Sequence, residues 1–341
     1  MGRKTNRVLI TTDEEISKIN PDNIELLDDF LNYMEATDHS PSSIKVYKSN
    51  LRIFFVYLMK FCKNKDFVDI KKRDIMNFQN YLIKNKLSPA RIRVLRSSIS
   101  SLGIFIENIL DEEEKYENFR NIVNKIPAPN MALVREKTVI SDEELDNLVN
   151  ELIKRNKIQI ATFIIMCAYS GARKSEMIQY KRSYFTSDTL KGGLYVTPEI
   201  RTKGSGVLGK PLKKYCLKSK VDIYLEMWDK ERDRLEINID DLFVVRHDNE
   251  WRCATTSTIT GWMHICEDIL GKPCYCHSFR HFFVSSLRRS NVPMDVIRDI
   301  VGHNSTDVTE MYNDNPKEDT FMQYFTADGI KQIESTSISD L

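Results

Sequence analysis

The sequence predicts a mainly α-helical protein of two domains: an all-α bundle comes first, and a mixed α+β domain with a small antiparallel sheet follows. Three observations support this prediction. The 341 residues, 41% of them hydrophobic, exceed the usual length of one domain and can fill two cores. Apolar residues recur at three- and four-residue steps in both halves. Two prolines in Lys125-Ile-Pro-Ala-Pro-Asn-Met interrupt this pattern and predict a linker at residues 126–137.

The first domain is expected to be an all-α bundle. Helical spacing of apolar residues predicts helices over 24–34, 44–58, 76–83 and 92–106. Ser40-Pro41 marks the start of the second of these helices, because Ser caps well and Pro suits the first helical position. We expect an N-terminal extension at 1–20, this domain at 21–125, the linker at 126–137, the second domain at 138–330 and a tail at 331–341.

The second domain is expected to mix helices with short strands. Ser141-Asp-Glu-Glu144 is a capping box that opens a helix, and 158–169 reads as a buried helix that ends at Ser170-Gly171. Short β-prone runs predict strands at 193–196, around Ile200 and at 242–245. Further helices are expected around 224–228 and over 257–270, 277–289 and 294–301.

Overall composition points to a reduced, cytoplasmic protein that does not associate with membranes. Fifty Lys and Arg against 49 Asp and Glu leave a net charge of only +1, so no field across the whole molecule attracts nucleic acid or lipid. Seven cysteines are too few for a disulfide-stapled secreted domain. The N-terminus lacks the apolar stretch of an export signal, and the longest apolar run, 158–169, is too short to span a bilayer.

Charge is nevertheless concentrated in one window. Residues 42–96 hold fourteen Lys or Arg and three Asp, a net charge of +11. Such a window is the expected footprint of contacts to DNA phosphates, although a solvated helical surface is the alternative. The candidate DNA-binding residues are Lys45, Lys48, Lys71, Lys72, Lys84, Arg91, Arg93 and Arg96.

Four motifs in the second domain carry the chemistry. In chain order they are Ser170-Gly-Ala-Arg173-Lys-Ser-Glu176; Thr202-Lys203-Gly204 with Lys210-Pro211-Leu212; His277-Ser-Phe-Arg280-His281; and Val301-Gly302-His303 followed by Tyr312. Arginines suit a phosphodiester because their planar forks hold two oxygens and stay charged. His277 precedes Arg280 by three residues on one helix, so both are expected to face one centre.

In order, separation and local sequence, the four motifs resemble the tyrosine recombinase, or phage integrase, family over about residues 140–325. The resemblance implies an N-terminal SAM-like core-binding domain and a C-terminal catalytic domain that together form a C-shaped clamp on double-stranded DNA. It also implies that the apolar segment after Tyr312 (Phe321, Met322, Tyr324, Phe325, Ile330) is an exchange helix. Such a helix docks into a neighbouring protomer and links a tetramer, and packing against its own domain is the alternative.

The resemblance also implies the role of each site residue. Tyr312 would attack the scissile phosphate, giving a 3′-phosphotyrosyl link and a free 5′-hydroxyl without any cofactor. Lys203 would protonate the departing oxygen, with Lys210 as the alternative. His277 would assist proton transfer from Tyr312 and His303 would hydrogen-bond the phosphate. Glu176 would orient the histidine–arginine cluster, unless it is only a structural residue.

A cluster of thiols and imidazoles around the third motif raises the alternative of metal binding. Six such residues fall within eighteen positions: His264, Cys266, Cys274, Cys276, His277 and His281. Their spacing lacks the paired ligands of a zinc site, and His277 already belongs to the third motif. We therefore expect no metal, and cysteines that act as small apolar packing residues.

Three functions remain open on the sequence. The favoured one is a site-specific recombinase or integrase that integrates or excises a prophage or other mobile element. The alternatives are a DNA-relaxing, topoisomerase-like enzyme and a non-catalytic DNA-binding regulator. The sequence leaves open the DNA target and the participation of accessory DNA-bending or directionality proteins.

Overall fold

The computed structural model describes residues 11–130, 138–202, 208–302, 324–326 and 329–331. The described residues up to 130 form one compact unit, and those from 138 onward form a second. Helices dominate both units, and all strands are short and antiparallel. The predicted fold class, mainly α with small antiparallel sheets, is therefore confirmed.

The first unit is an all-α bundle. Its helices are α1 (Asp13–Ile16), α2 (Pro21–Ala36), α3 (Pro41–Phe61), α4 (Lys72–Lys84) and α5 (Pro89–Ile109), with short 3₁₀ turns at Phe67–Asp69 and Val123–Lys125. The predicted cap of α3 is confirmed, since the side chain of Ser40 accepts a hydrogen bond from the Ser43 amide. Helices α2 and α5 begin in the same way, with a polar cap before proline.

The core of the first unit is rich in aromatic rings. Phe54 of α3 is fully buried, and its ring centroid lies 5.0 Å from that of Phe78 of α4 in an edge-to-face contact. Phe67, in the turn before α4, packs edge-to-face on Phe54 at 6.2 Å. The buried side chain of Asn23 accepts a hydrogen bond from the Phe67 amide, which fixes that turn on α2.

The second unit surrounds one buried helix with helices and short strands. Its helices are α6 (Asp142–Lys154), α7 (Ile158–Ser170), α8 (Lys174–Met177), α9 (Lys218–Arg234), α10 (Thr256–Leu270), α11 (Cys276–Arg289) and α12 (Met294–Val301). Helix α7 packs against α6, α9 and α11, and ten of its thirteen residues are buried. The capping box of α6 is present as predicted. The bounds predicted for α12 are also those observed.

The strands of this unit are β1 (Leu190–Lys191), β2 (Leu194–Val196), β3 (Ile200–Thr202), β4 (Lys210–Leu212), β5 (Tyr215–Leu217), β6 (Val244–His247), β7 (Glu250–Cys253), β8 (Phe325–Thr326) and β9 (Gly329–Ile330). They form one three-stranded sheet in the order β1-β2-β5, and three two-stranded pairs, β3-β4, β6-β7 and β8-β9. The strand expected at 242–245 begins two residues later, at Val244.

Most of the segment after Tyr312, where an exchange helix is expected, lies outside the described residues, and its described part forms a short antiparallel strand pair. Phe325 and Ile330 pair across an antiparallel turn, and Gly329 has a φ of +138°, which is not helical backbone. The side chain of Phe325 is buried in a cluster with Leu194 and Val296 of the same unit. The ring of Phe325 therefore packs in the core of its own unit.

Candidate active site

The first motif sits at the turn between α7 and α8. Helix α7 ends on Gly171, whose φ of +61° is the left-handed conformation that glycine favours. A Cβ at this position would lie 2.7 Å from Phe283 Cδ1 of α11, so the turn also needs glycine for space. This turn leads directly to Arg173, the N-cap of α8, and so sets Arg173 beside α11.

Glu176 ties the first motif together. Its Oε2 accepts a hydrogen bond of 2.9 Å from the Arg173 amide, and its Oε1 accepts one of 2.7 Å from Arg173 Nη1. The Glu176 side chain is only 1% exposed, whereas that of Arg173 is 32% exposed. The carboxylate thus holds the backbone and one end of the guanidinium, and leaves part of Arg173 open to a ligand.

Lys214 is a buried cation that lies outside the four sequence motifs. Its side chain is 1% exposed, and its Nζ lies 2.9 Å from Glu176 Oε2. It lies between β4 and β5, where its amide donates to Thr197 Oγ1 and its carbonyl accepts from the Thr197 amide, both at 2.9 Å. The sequence signals its burial only indirectly, because Lys214 directly precedes the apolar strand β5 and follows the exposed Lys213.

The pKa values of this ion pair reflect both burial and charge. Burial alone would raise the pKa of the Glu176 carboxyl, but the charge of Lys214 and the hydrogen bonds from Arg173 outweigh it and lower that pKa. Burial lowers the pKa of Lys214, and Arg280 and Arg173 act in the same direction against the opposing effect of Glu176. The carboxylate is therefore ionised at neutral pH.

Arg280 joins the third motif to the first and the fourth. It lies on α11 and is 2% exposed. Its Nη1 donates a hydrogen bond of 2.5 Å to the Gly171 carbonyl, and its Nη2 donates one of 2.8 Å to the Val301 carbonyl. Its buried Nε has no hydrogen-bond partner among the described residues. Burial, and secondarily the charge of Arg173, lowers the pKa of Arg280 to about 10, which keeps it charged at neutral pH.

Of the other predicted active-site residues, the structure describes only His277 and Lys210. His277 lies in the first turn of α11, exposed, and its ring centroid is 4.5 Å from that of His281. Helix α12 ends at Gly302, where a Cβ would be 3.2 Å from Lys214 Nζ. Lys210 lies on β4, where its carbonyl accepts a hydrogen bond from Thr202 Oγ1. Lys203, His303 and Tyr312 lie outside the described residues.

These side chains form a small cluster of net positive charge. Arg173, Arg280 and Lys214 each carry a positive charge, and Glu176 carries a negative one. The hydrogen bond from Arg280 to the Gly171 carbonyl shows that two motifs more than a hundred residues apart meet here. Such a preorganised cationic cluster can stabilise the charge that develops on a phosphodiester during transfer.

Most predicted DNA contacts of the first unit lie on its surface. Lys45, Lys71, Lys72, Lys84 and Arg93 are exposed. Lys48 and Arg91 are half-buried, and the guanidinium of Arg91 donates to Asn50 Oδ1 at 2.7 Å. Arg93 also donates to the Pro129 carbonyl, at 2.9 Å from Nη2.

The prediction that Arg96 contacts DNA requires a correction, because the structure buries this residue. Its side chain is 6% exposed, and its guanidinium donates to the carbonyl oxygens of Val123, at 2.9 Å, and of Ile126. The same group also donates to the side-chain oxygen of Gln79. These bonds fasten α5 to the segment that follows it. Arg96 is therefore placed as a structural residue, because a buried guanidinium with these partners cannot reach a phosphate.

The cysteines pack in the interior. All seven are free thiols, and six of them are buried, with Cys253 half-buried. Within the described ranges, no three His, Cys, Asp or Glu side chains are grouped as metal ligands. In the same ranges, no helix has the length and apolar character needed to cross a bilayer.

Sequence comparisons identify relatives of both units. Residues 138–319 match the Phage integrase family, and residues 26–115 match the family described as Phage integrase, N-terminal SAM-like domain. The SPbeta prophage-derived recombinase-like protein YomM of Bacillus subtilis is 26% identical over 276 residues, which cover 80% of this chain and 81% of the relative. A tyrosine recombinase of Thermosipho africanus is 24% identical over 298 residues, covering 85% and 93%.

Solved structures share the fold. A XerH site-specific recombinase bound to palindromic difH substrate aligns with a TM-score of 0.59 and 20% identity, covering 77% of this chain and 73% of that one. A lambda integrase tetramer bound to a Holliday junction aligns with a TM-score of 0.60 and 14% identity, covering 89% and 84%. Because the match at 138–319 alone spans more than half of the sequence, the protein belongs to the phage integrase family, the tyrosine recombinases.

Proposed function

We propose that this protein is a site-specific DNA recombinase that cuts and rejoins strands through a 3′-phosphotyrosyl intermediate. The observation that carries the proposal is the common position of two arginines inside a domain of the phage integrase family: Glu176 holds Arg173 at the start of α8, and Arg280 is bonded to the carbonyl of Gly171, two residues before Arg173. Family membership supplies the class of reaction. The cluster supplies positive charge at a fixed position, which phosphoryl transfer requires.

In the proposed reaction, Tyr312 is the nucleophile. Its phenolic oxygen bonds to the scissile phosphorus while the bond from phosphorus to the 5′-oxygen breaks. The tyrosine loses one proton, which His277 helps to remove, and the departing 5′-oxygen gains one proton from Lys203, with Lys210 as the alternative donor. His303 hydrogen-bonds the phosphate. One phosphodiester replaces another, so no cofactor is consumed and the reverse step rejoins the strand.

The first unit is proposed to bind duplex DNA through its exposed cations. Lys45, Lys71, Lys72, Lys84 and Arg93 all lie on the surface of one helical unit that holds a net charge of +11 over residues 42–96. Lys48 and Arg91 remain candidates with partly covered side chains. Such contacts bind phosphates irrespective of sequence, so they supply affinity and orientation.

Assembly into a homotetramer on DNA is also proposed. Its support is the shared fold with a lambda integrase tetramer bound to a Holliday junction. The biological role that fits best is integration or excision of a prophage or related mobile element in the cytoplasm, and the resemblance to a prophage-derived recombinase-like protein supports it.

A plasmid assay separates this function from its alternatives. Purified protein is incubated with supercoiled plasmids that carry no, one or two directly repeated copies of its cognate site, with and without EDTA. A recombinase resolves only the two-site plasmid into two circles, and EDTA leaves that reaction unchanged. Relaxation of all three plasmids without resolution would instead identify a topoisomerase-like enzyme. Binding with neither product would identify a DNA-binding regulator.

A further inference from the structure

We propose that Lys214 is a positioning residue of the active site, which balances Glu176 so that both arginine charges act on the scissile phosphate. The inference rests on the proposed function and deepens it. Glu176 is needed to hold Arg173, since it accepts hydrogen bonds from both the amide and Nη1 of that residue. A buried carboxylate beside two arginines would, however, cancel one of their two charges.

The placement of Lys214 removes this conflict. Its ammonium nitrogen lies 2.9 Å from Glu176 Oε2, the oxygen that also accepts from the Arg173 amide. Arg173 Nη1 binds the other oxygen, Oε1. With Lys214 present the cluster keeps two net positive charges, and without it the cluster keeps one. The diester carries one negative charge that increases during transfer, so the second positive charge matters most in the transition state.

The fold holds Lys214 firmly in this position. Its amide and carbonyl both bond to Thr197, which is itself 1% exposed. Its Nζ also borders the end of α12, because a Cβ at Gly302 would be 3.2 Å away. Lys214 therefore contacts the first motif through Glu176 and lies close to the backbone of the fourth motif at Gly302. Because its side chain is 1% exposed, it acts through Glu176 and does not touch the substrate.

The charge on the substrate provides the test. Single-turnover cleavage is measured with saturating protein on a suicide DNA duplex that carries either the normal phosphate or a neutral methylphosphonate at the scissile position. Lys214→Met is expected to slow cleavage of the phosphate by at least about tenfold, and of the methylphosphonate by about threefold or less. The exposed neighbour is the matched control, and Lys213→Met is expected to change neither rate by more than about twofold.

Two outcomes would overturn the inference: an unchanged rate for Lys214→Met, or equal slowing of both substrates, which would mark a purely structural role. If Lys214→Met does not fold, the double variant Glu176→Gln/Lys214→Met removes both buried charges and restores the net charge of two. For this double variant, the ratio of the cleavage rate on phosphate to that on methylphosphonate is expected to match the ratio for the unmodified protein within about threefold. A larger change in this ratio would contradict the inference. Failure of the unmodified protein to form any adduct would instead reject the proposed function and, with it, this role.

Discussion

The guanidinium of Arg280 donates a hydrogen bond of 2.5 Å to the carbonyl oxygen of Gly171, 109 residues earlier in the chain. A second bond from the same side chain reaches the carbonyl of Val301, at the end of α12. One buried arginine therefore holds the ends of two helices as well as supplying charge. Its role in the fold and its role in the reaction are expected to be lost together.

Replacement of Arg280 by lysine tests this double role. An ammonium group cannot reproduce two bonds from a planar fork, so at least one helix-end carbonyl loses its partner. We expect Arg280→Lys to slow cleavage by about 100-fold or more and to destabilise the protein by about 1–3 kcal/mol. Single-turnover cleavage and urea unfolding measure these effects. If Arg280→Lys has the same free energy of unfolding as the unmodified protein, the carbonyls of Gly171 and Val301 do not depend on Arg280 for their hydrogen bonds.

Gly171 is expected to tolerate no side chain. At a φ of +61°, and with Phe283 Cδ1 2.7 Å from the position of a Cβ, Gly171→Ala is expected to cost about 1–2 kcal/mol or more. Gly261, inside α10, is the matched control because a Cβ there meets nothing within 4 Å. Gly261→Ala is expected to stabilise the protein by about 0.5–1 kcal/mol. Urea midpoints that shift equally in the two variants would contradict this explanation.

The lowered pKa of Glu176 predicts how stability depends on acid. A carboxyl whose pKa is lowered by folding stabilises the protein above its ordinary pKa of 4.5, and this contribution is lost as the pH falls through the lowered value. Glu176→Gln is expected to cost about 3–5 kcal/mol at neutral pH, because Lys214 is left buried without a counter-charge. The difference should shrink as unfolding is measured at lower pH. A difference that stayed constant from neutral pH to about pH 3 would contradict the assignment.

The exposed cations of the first unit predict how DNA affinity depends on salt. Reversal of Lys45, Lys71, Lys72 and Lys84 to Glu is expected to weaken binding to cognate and random DNA nearly equally. Removal of each lysine–phosphate ion pair should flatten the log–log salt slope by about 0.9. Reversal of four lysines that are exposed in the second unit, Lys154, Lys157, Lys220 and Lys230, controls for total charge. Equal effects of the two sets on affinity and slope would show that the basic window is only a solvated surface.

Local signals allowed much of the fold to be predicted. The bounds of α12 and the caps of α3 and α6 follow from apolar spacing and from side chains that hydrogen-bond their own helix ends. The tail could not be predicted in this way, because an apolar segment such as 321–330 can fill a partner's groove or its own core with the same residues. The burial of Phe325 in its own unit is a tertiary property.

In the candidate site, too, some residues can be predicted from the sequence, whereas the placement of others depends on tertiary packing. Arg173, Glu176 and Arg280 could be predicted because they stand in motifs that resemble those of a known family, and the two arginines also suit a phosphodiester by residue type. Lys214 was missed and Arg96 was misassigned for one reason: sequence gives the charge of a side chain but not whether it is buried. A lysine beside another lysine reads as surface, yet Lys214 is 1% exposed and paired with Glu176. An arginine in a basic window reads as a DNA contact, yet Arg96 holds backbone carbonyls.

The proposed reaction requires that a tyrosine of the fourth motif become covalently joined to DNA. The most direct measurement incubates the full chain with a suicide duplex that carries the cognate site, digests the product and maps the DNA-linked peptide by mass spectrometry. We predict one adduct, on Tyr312 through a 3′-phosphate, which disappears in Tyr312→Phe although that variant still binds the duplex. Tyr324→Phe, at the next tyrosine in the sequence, should keep the adduct. An adduct that persists in Tyr312→Phe, or one that maps to Tyr324, would show that Tyr312 is not the nucleophile.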